Sequence, residues 1–202
     1  RTTAVTERDV ARGERLRLES LSELAQMLSA ARTPQDVNRA LELQLLDGVG
    51  ATSFSLGVLN PDRDRLMWVA VAGDPPPAPV RGGLDAAASW VATDVARSGE
   101  PVLIRSAADY ASRYPDTAGW CGDAGIRSVA GWPLVSGGER IGSLTVGWTD
   151  PQDFGAEQQD YMETLATMVG QALTRAQSYA DEHARALVLH AALHPADRVE
   201  AV

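Results

Sequence analysis

Apolar positions along the chain keep two rhythms and switch between them several times. From residue 14 to residue 31 the spacing is helical. Leu18, Leu21, Leu24, Ala25 and Leu28 share one face, and Glu14, Arg15, Arg17, Glu19 and Glu23 leave the rest polar. Thr33-Pro34-Gln35-Asp36 reads as a second helix start: Thr33 caps, Pro34 suits the first turn, and Asp36 lies near the positive end of the dipole. That helix aligns Val37, Ala40, Leu41 and Leu45 and stops at Asp47-Gly48. Apolar runs at residues 52–59 and 65–72 then read as strands, joined by the turn-rich Asn60-Pro61-Asp62-Arg63-Asp64. Residues 73–83 hold four prolines and three glycines and predict a loop over the sheet, stiffened by Pro75-Pro76-Pro77. Residues 84–97 return to helical spacing through Leu84, Ala87, Ala88, Val91 and Val95, and stop at Ser98-Gly99. Residues 101–105 predict a short strand. Residues 106–125 predict an irregular, aromatic loop, with Tyr110, Tyr114 and Trp120 broken up by Pro115, Gly119 and Gly122. A loop of that length in a compact domain is more often functional than idle.

Residues 125–150 read as a β-hairpin, with Gly137-Gly138 supplying the positive φ of a tight turn. A two-residue loop there pairs Leu134 with Ile141, Pro133 with Gly142 and Gly131 with Leu144. One face then carries Val129, Gly131, Pro133, Val135, Gly142, Leu144 and Val146, and the other Ser128, Ala130, Trp132, Leu134, Ile141, Ser143 and Thr145. Away from the turn neither face is charged, which predicts cover on both sides and a central place in the sheet. Pro133 lacks an amide donor, so a ladder bond is given up beside it. From Gly155 onward Tyr161, Leu165, Met168, Ala172, Ala176, Tyr179 and His183 recur at a three-four spacing. Two readings stay open: a helix laid on the sheet as far as Leu173, or one that continues past the domain and pairs with its copy. The order of elements predicts an α+β domain, a central antiparallel sheet with the amino- and carboxy-terminal helices on one face.

Arg127-Ser128, Pro133-Leu134, Gly138, Ile141-Gly142, Leu144 and Val146 together resemble the central hairpin of GAF domains. The likeness reaches upstream to Glu100-Pro101-Val102 and downstream to Phe154 and the helix after it, over residues 20–180. It implies a GAF-like sheet with a ligand pocket on the face opposite the terminal helices, closed by the loops around the third strand. The expected division is a helical extension at 1–19, a GAF domain at 20–176 and a helical linker at 177–202.

Composition narrows the choice. The chain has 202 residues, enough for one domain with a core of its own. All of its 18 basic residues are arginine, as in proteins from GC-rich genomes. A net charge of −9 without a basic cluster argues against nucleic acid as a partner. Cys121 is the only cysteine, which forbids an internal disulfide and points to a cytoplasmic setting. No apolar run is long enough to span a membrane, and no signal peptide is recognisable. The chain opens without methionine, so a longer parent protein is expected.

Candidate chemistry thins out quickly. His183, His190 and His194 all lie in the carboxy-terminal tail, and one cysteine cannot complete a ligand set, so neither metal nor haem nor any other cofactor is expected. Gly137-Gly138 lacks the lysine and following helix of a phosphate loop. Cys121 lies beside Trp120, Gly122 and Asp123, with Arg127 nearby. The guanidinium favours a reactive thiolate, Asp123 opposes it, and a buried inert thiol is the alternative. Bilin-binding GAF domains carry a cysteine usually followed by histidine, whereas Gly122 follows here. Those that reduce methionine sulfoxide use several cysteines, and the cyclic-nucleotide signature is not recognisable. Binding remains. Trp90, Tyr110, Tyr114, Trp120 and Trp132 fall in segments that surround the implied pocket, with Cys121 among them and Arg127 placed to meet an anionic group. The competing reading is that these rings fill a core with no cavity.

The tail from Glu182 to Pro195 resembles the helix that opens sporulation-type (SpoIIE-like) serine phosphatase domains. Ala186, Leu187, Leu189, Leu193 and Pro195 match, while His190 and His194 depart from the pattern. The expectation is a cytoplasmic, non-catalytic GAF sensor. It binds a small molecule, forms a homodimer through its terminal helices and signals to a phosphatase domain beyond this chain. Its rivals are a ligand-free dimerisation module and a redox sensor centred on Cys121.

Overall fold

A computed structural model describes the backbone of residues 7–73 and 82–193, and the side chains of 19–73, 82–183 and 185. The proline-rich stretch 74–81 and the tail from His194 onward, including Pro195, lie outside the described residues. The chain runs through α1 (Glu7–Ala30), α2 (Pro34–Glu42), a π-helical turn (Leu43–Gly48), β1 (Ser53–Leu59), β2 (Arg65–Ala72), β3 (Leu84–Asp85) and α3 (Val91–Ser98). It continues through β4 (Val102–Ile104), α4 (Ala107–Arg113), a 3₁₀ turn (Pro115–Thr117), α5 (Ala118–Asp123), β5 (Ser128–Ser136), β6 (Glu139–Trp148) and α6 (Ala156–Leu193). The strands form one antiparallel sheet in the order β3-β2-β1-β6-β5-β4, so the β5–β6 hairpin is central.

The turn at Gly137 and Gly138 has φ of 59° and 83°, the two positive values of a type I′ hairpin. Ser136 faces Glu139 and Val135 faces Arg140, but Leu134 then faces Gly142, which leaves Ile141 as an extra residue on β6. This bulge overturns the simple register. Gly131 pairs with Thr145 and Trp132 with Leu144. Because side chains alternate, one inserted residue reassigns every later β6 position to the other face. Ala130, Trp132, Leu134, Gly142, Leu144 and Val146 therefore share the terminal-helix side. Val129, Gly131, Pro133, Ser143, Thr145 and Gly147 share the other. β4 begins at Val102 opposite Gly131, two residues short of the donor-less Pro133. A second bulge sits in β2, where Leu56 faces Ala70 and Gly57 faces Trp68, with Val69 between them.

On one face α1, α2 and α6 cover the main core. Buried Leu24, Leu28, Val37, Leu41 and Leu45 meet Leu56, Trp132, Leu134, Leu144 and Val146 of the sheet. In α2 the expected cap is present: the Thr33 hydroxyl accepts from the Asp36 amide, and Asp36 accepts in turn from the Thr33 amide. In α6 the buried stripe is Met162, Leu165, Ala166, Val169, Ala172, Leu173 and Ala176. Of the expected seam, Leu165, Ala172 and Ala176 belong to it, Tyr161 and Met168 flank it half-buried, and Tyr179 and His183 are exposed. The helix is nonetheless continuous to Leu193. Ser20 approaches Tyr161, the Arg175 guanidinium donates to the Leu28 carbonyl, and Arg32 lies on the Tyr179 ring. Higher numbers on α1 meet higher numbers on α6, so the two helices run parallel.

Two segments differ from their sequence patterns. Residues 84–97 are not one helix: Leu84–Asp85 pairs with β2, and α3 begins only at Val91. Asp85 accepts from the Ala87 amide and stops the chain from coiling earlier. Residues 106–125 are not irregular either. Ser106 caps α4 through the Asp109 amide, Pro115 opens the 3₁₀ turn, and α5 follows. These helices are too short for apolar periodicity to reveal, but Ser106-x-x-Asp109 is a capping signature.

Gly142 lies where β6 crosses β1 at its closest. A Cβ there would stand 1.9 Å from the Gly57 carbonyl oxygen, which is backbone and cannot swing aside. Gly142→Ala is expected to destabilise the domain by about 3 kcal/mol, the upper part of the range for overpacking a close-packed interior. Urea unfolding monitored by circular dichroism checks this.

Candidate functional site

On the face opposite α1, α2 and α6, the short helices α3, α4 and α5 roof the sheet and leave an apolar pocket beneath them. Its floor is Ser53 and Ser55 of β1, Trp68 and Val71 of β2, Val129 of β5, and Thr145 and Gly147 of β6. Its roof is Trp90 and Val91 at the start of α3, Tyr110 of α4, and Trp120, Cys121 and Ile126 in and after α5. Gly131 lets the roof descend: a Cβ there would stand 2.8 Å from a Val95 methyl and 3.1 Å from a Val91 methyl. Trp90 and Trp120, both half-buried, meet with ring centroids 5.7 Å apart. The cavity measures about 60 Å³; for scale, an apolar cavity of about 150 Å³ holds benzene.

Among the described residues no charged side chain lines this space. The Tyr110 hydroxyl lies 3.1 Å from the Thr117 hydroxyl and also reaches the Cys121 thiol. Burial, with the neighbouring thiol, pushes the Tyr110 pKa upward, so it stays a neutral phenol. Burial likewise pushes the Cys121 thiol up, against a smaller opposing effect of the Tyr110 hydroxyl. Thr145 Oγ1 is buried and has no hydrogen-bond partner among the described residues, and the same holds for Ser143 Oγ on the same face of β6. No group of histidine, cysteine and carboxylate side chains suited to a metal occurs among the described residues, and no described helix is long and apolar enough to cross a membrane.

Of the seven sequence candidates, the structure brings Trp90, Tyr110, Trp120 and Cys121 to the pocket wall. Tyr114 stands behind the wall: it packs on Tyr110 and donates to Asp94 at 2.8 Å, tying the segment after α4 to α3. Burial and the Asp94 carboxylate raise its pKa as well. Arg127 does not meet the pocket. Its side chain is exposed, and its amide donates to the Trp148 carbonyl. Trp132 is 1% exposed on the opposite face, in the helix-side core, so for this ring the core-filling alternative holds. The sequence reading missed Trp68, Ser53, Ser55 and Thr145. Trp68 escaped because the extra residue at Val69 breaks the alternation of β2. Thr145 shares a face with Trp132 in the unbulged register and lies on the opposite face from it in the real one.

A family model described as GAF domain matches residues 31–174. Solved structures with a similar fold include the GAF domain from an Acinetobacter phosphoenolpyruvate-protein phosphotransferase. It is 20% identical with a TM-score of 0.67, and the alignment covers 82% of this chain and 98% of that one. A free methionine-R-sulfoxide reductase from Neisseria meningitidis, in complex with its substrate, is 16% identical with a TM-score of 0.65, over 81% of this chain and 91% of that one. A domain of a putative two-component sensor histidine kinase protein from Sinorhizobium meliloti is 20% identical with a TM-score of 0.54, over 75% and 95%. At these identities the likeness establishes the fold alone. No curated protein sequence matches the chain.

The raised thiol pKa has a direct consequence. Only the thiolate alkylates, and its fraction falls about tenfold for each unit by which the pKa exceeds the pH. Iodoacetamide at neutral pH is expected to modify Cys121 at least about tenfold more slowly in the folded protein than in urea. The folded rate is expected to climb only on the alkaline side of an ordinary thiol. Mass spectrometry of timed samples measures both.

Proposed function

Because the chain belongs to the GAF domain family, whose members are in general regulatory sensor domains of signalling proteins, we propose that it is a non-catalytic cytoplasmic sensor that binds a small molecule in the pocket under α3, α4 and α5. The supporting observation is that β1 and β6 serve both faces. Ser53, Ser55, Thr145 and Gly147 floor the pocket, while Phe54, Leu56, Leu144 and Val146, one residue away along the same strands, carry the terminal-helix core. A ligand that shifts the floor shifts the bed on which α6 lies. Differential affinity for two arrangements of that bed is all a sensor needs.

In this reading the output passes along α6, which continues as one helix to Leu193, well past Ala176, the last buried residue among its described side chains. Pairing with a second copy through the terminal helices, and delivery of the signal to a serine phosphatase domain, complete the proposal. Residues 186–193, which carry the phosphatase-linker resemblance, fall within that helix. The buried thiol with a raised pKa speaks against a redox sensor at Cys121. The ligand-free dimerisation module is favoured by the small size of the cavity, about 60 Å³.

Isothermal titration against a metabolite library separates the two readings. A sensor yields at least one ligand, and Trp120→Ala weakens it about tenfold or more by removing a flat wall. A structural module yields none. Independently, light scattering of the full chain is expected to give twice the monomer mass at micromolar concentration, and a persistent monomer sinks the homodimer.

A further inference from the structure

The pocket floor has a chemistry of its own. Ser53 faces Gly147 and Ser55 faces Thr145 across the β1–β6 pair, and Gly57 faces Ser143 one step further along. The pocket side of these two central strands is thus a strip of hydroxyls and glycines set into an otherwise apolar enclosure. Two of those hydroxyls, Thr145 Oγ1 and Ser143 Oγ, are buried with no partner among the described residues. An unpaired buried hydroxyl is a cost to the fold, whereas valine in place of Thr145 would fill the same volume without it. A group kept at a cost to stability, at the wall of a cavity, is suited to something that enters the cavity.

We propose that the pocket takes a small uncharged molecule with an apolar, ring-like body and one hydroxyl or carbonyl group that hydrogen-bonds to Thr145. This rests on the reading of the pocket as a ligand site. The uncharged nature follows from the lining, which among the described residues holds no Arg, Asp, Glu or His to balance a charge. A desolvated ion there would have no counter-charge. The apolar body follows from Trp68, Trp90 and Trp120, which give flat walls on three elements. The polar anchor is Thr145: of the hydroxyls lining the cavity, its Oγ1 is the one buried with no hydrogen-bond partner among the described residues. Tyr110 already has the Thr117 hydroxyl as its partner, and Ser143 does not line the cavity. The cavity is smaller than benzene needs, so a ring enters by displacing Trp90 or Trp120, the half-buried pair of the roof.

Phenol, toluene and benzoate at pH 7 test this by isothermal titration, with tryptophan fluorescence as a second readout. Phenol is expected to bind at millimolar concentration and about tenfold more tightly than toluene, and benzoate is not expected to bind. Thr145→Val is expected to bring phenol down to the affinity of toluene, while Thr145→Ser restores the preference. The thermal midpoint of Thr145→Val is expected to equal or exceed that of the parent. A lower midpoint with unchanged phenol affinity identifies a structural hydroxyl and overturns the proposal. Benzoate binding as well as phenol, with Thr145→Val affecting neither, overturns the ligand class and leaves the sensing pocket standing. Silence from all three probes by both readouts overturns this proposal; the sensing reading then falls only if the metabolite library is silent too.

Discussion

The β1–β6–β5 strands have to be covered on both faces, and each face makes different demands. Toward α1, α2 and α6 they present large apolar side chains, Leu56, Trp132, Leu134, Leu144 and Val146, that fill a conventional core. Toward α3 they present glycine, serine and threonine, small enough for a helix to settle close and for a space to remain beside it. The two faces of β6 are kept apart by alternation alone, so its register decides which residue serves which purpose. The bulge at Ile141 sets that register.

Much of the architecture could be read directly from residues. The Thr33 cap, the Gly137-Gly138 turn, the strand spans and the long last helix all rest on local rules with strong signatures, and the hairpin motif identified the family. What stayed hidden was hidden for physical reasons. A one-residue bulge leaves no trace in an alternating pattern until the partner strand is known, so the simple register inverts the faces of β6 relative to β5. Trp132 lies on β5, which the bulge does not affect; its segment borders the pocket, but its side chain faces the helix-side core. Trp68 was lost to the bulge in β2. The helices α4 and α5 fall below the length at which periodicity speaks. Residues 84–90 mimic helical spacing, yet Leu84–Asp85 pairs with β2 and the chain then turns, with the Asp85 side chain and carbonyl accepting from the Ala87 and Ala88 amides.

The candidate site was legible by residue type more than by position. Tryptophans and tyrosines concentrated between residues 90 and 120 do converge, because α3, α4 and α5 fold onto one face of the sheet. Arg127 does not join them: it sits just before β5, where its amide enters the ladder with Trp148 and its side chain goes to solvent. The consequence is electrostatic. A pocket with that guanidinium inside would select anions, whereas the described lining of this one is neutral.

The parallel course of α1 and α6 carries a geometric corollary. The polypeptide arrives at one pole of the domain and departs from the other, so such a unit extends a protein lengthwise instead of doubling it back. Joined end to end with other modules, it acts as a segment of a shaft. In the sensing reading proposed above, a twist of the outgoing rod would pass along the axis as torque, without any large displacement of the sheet.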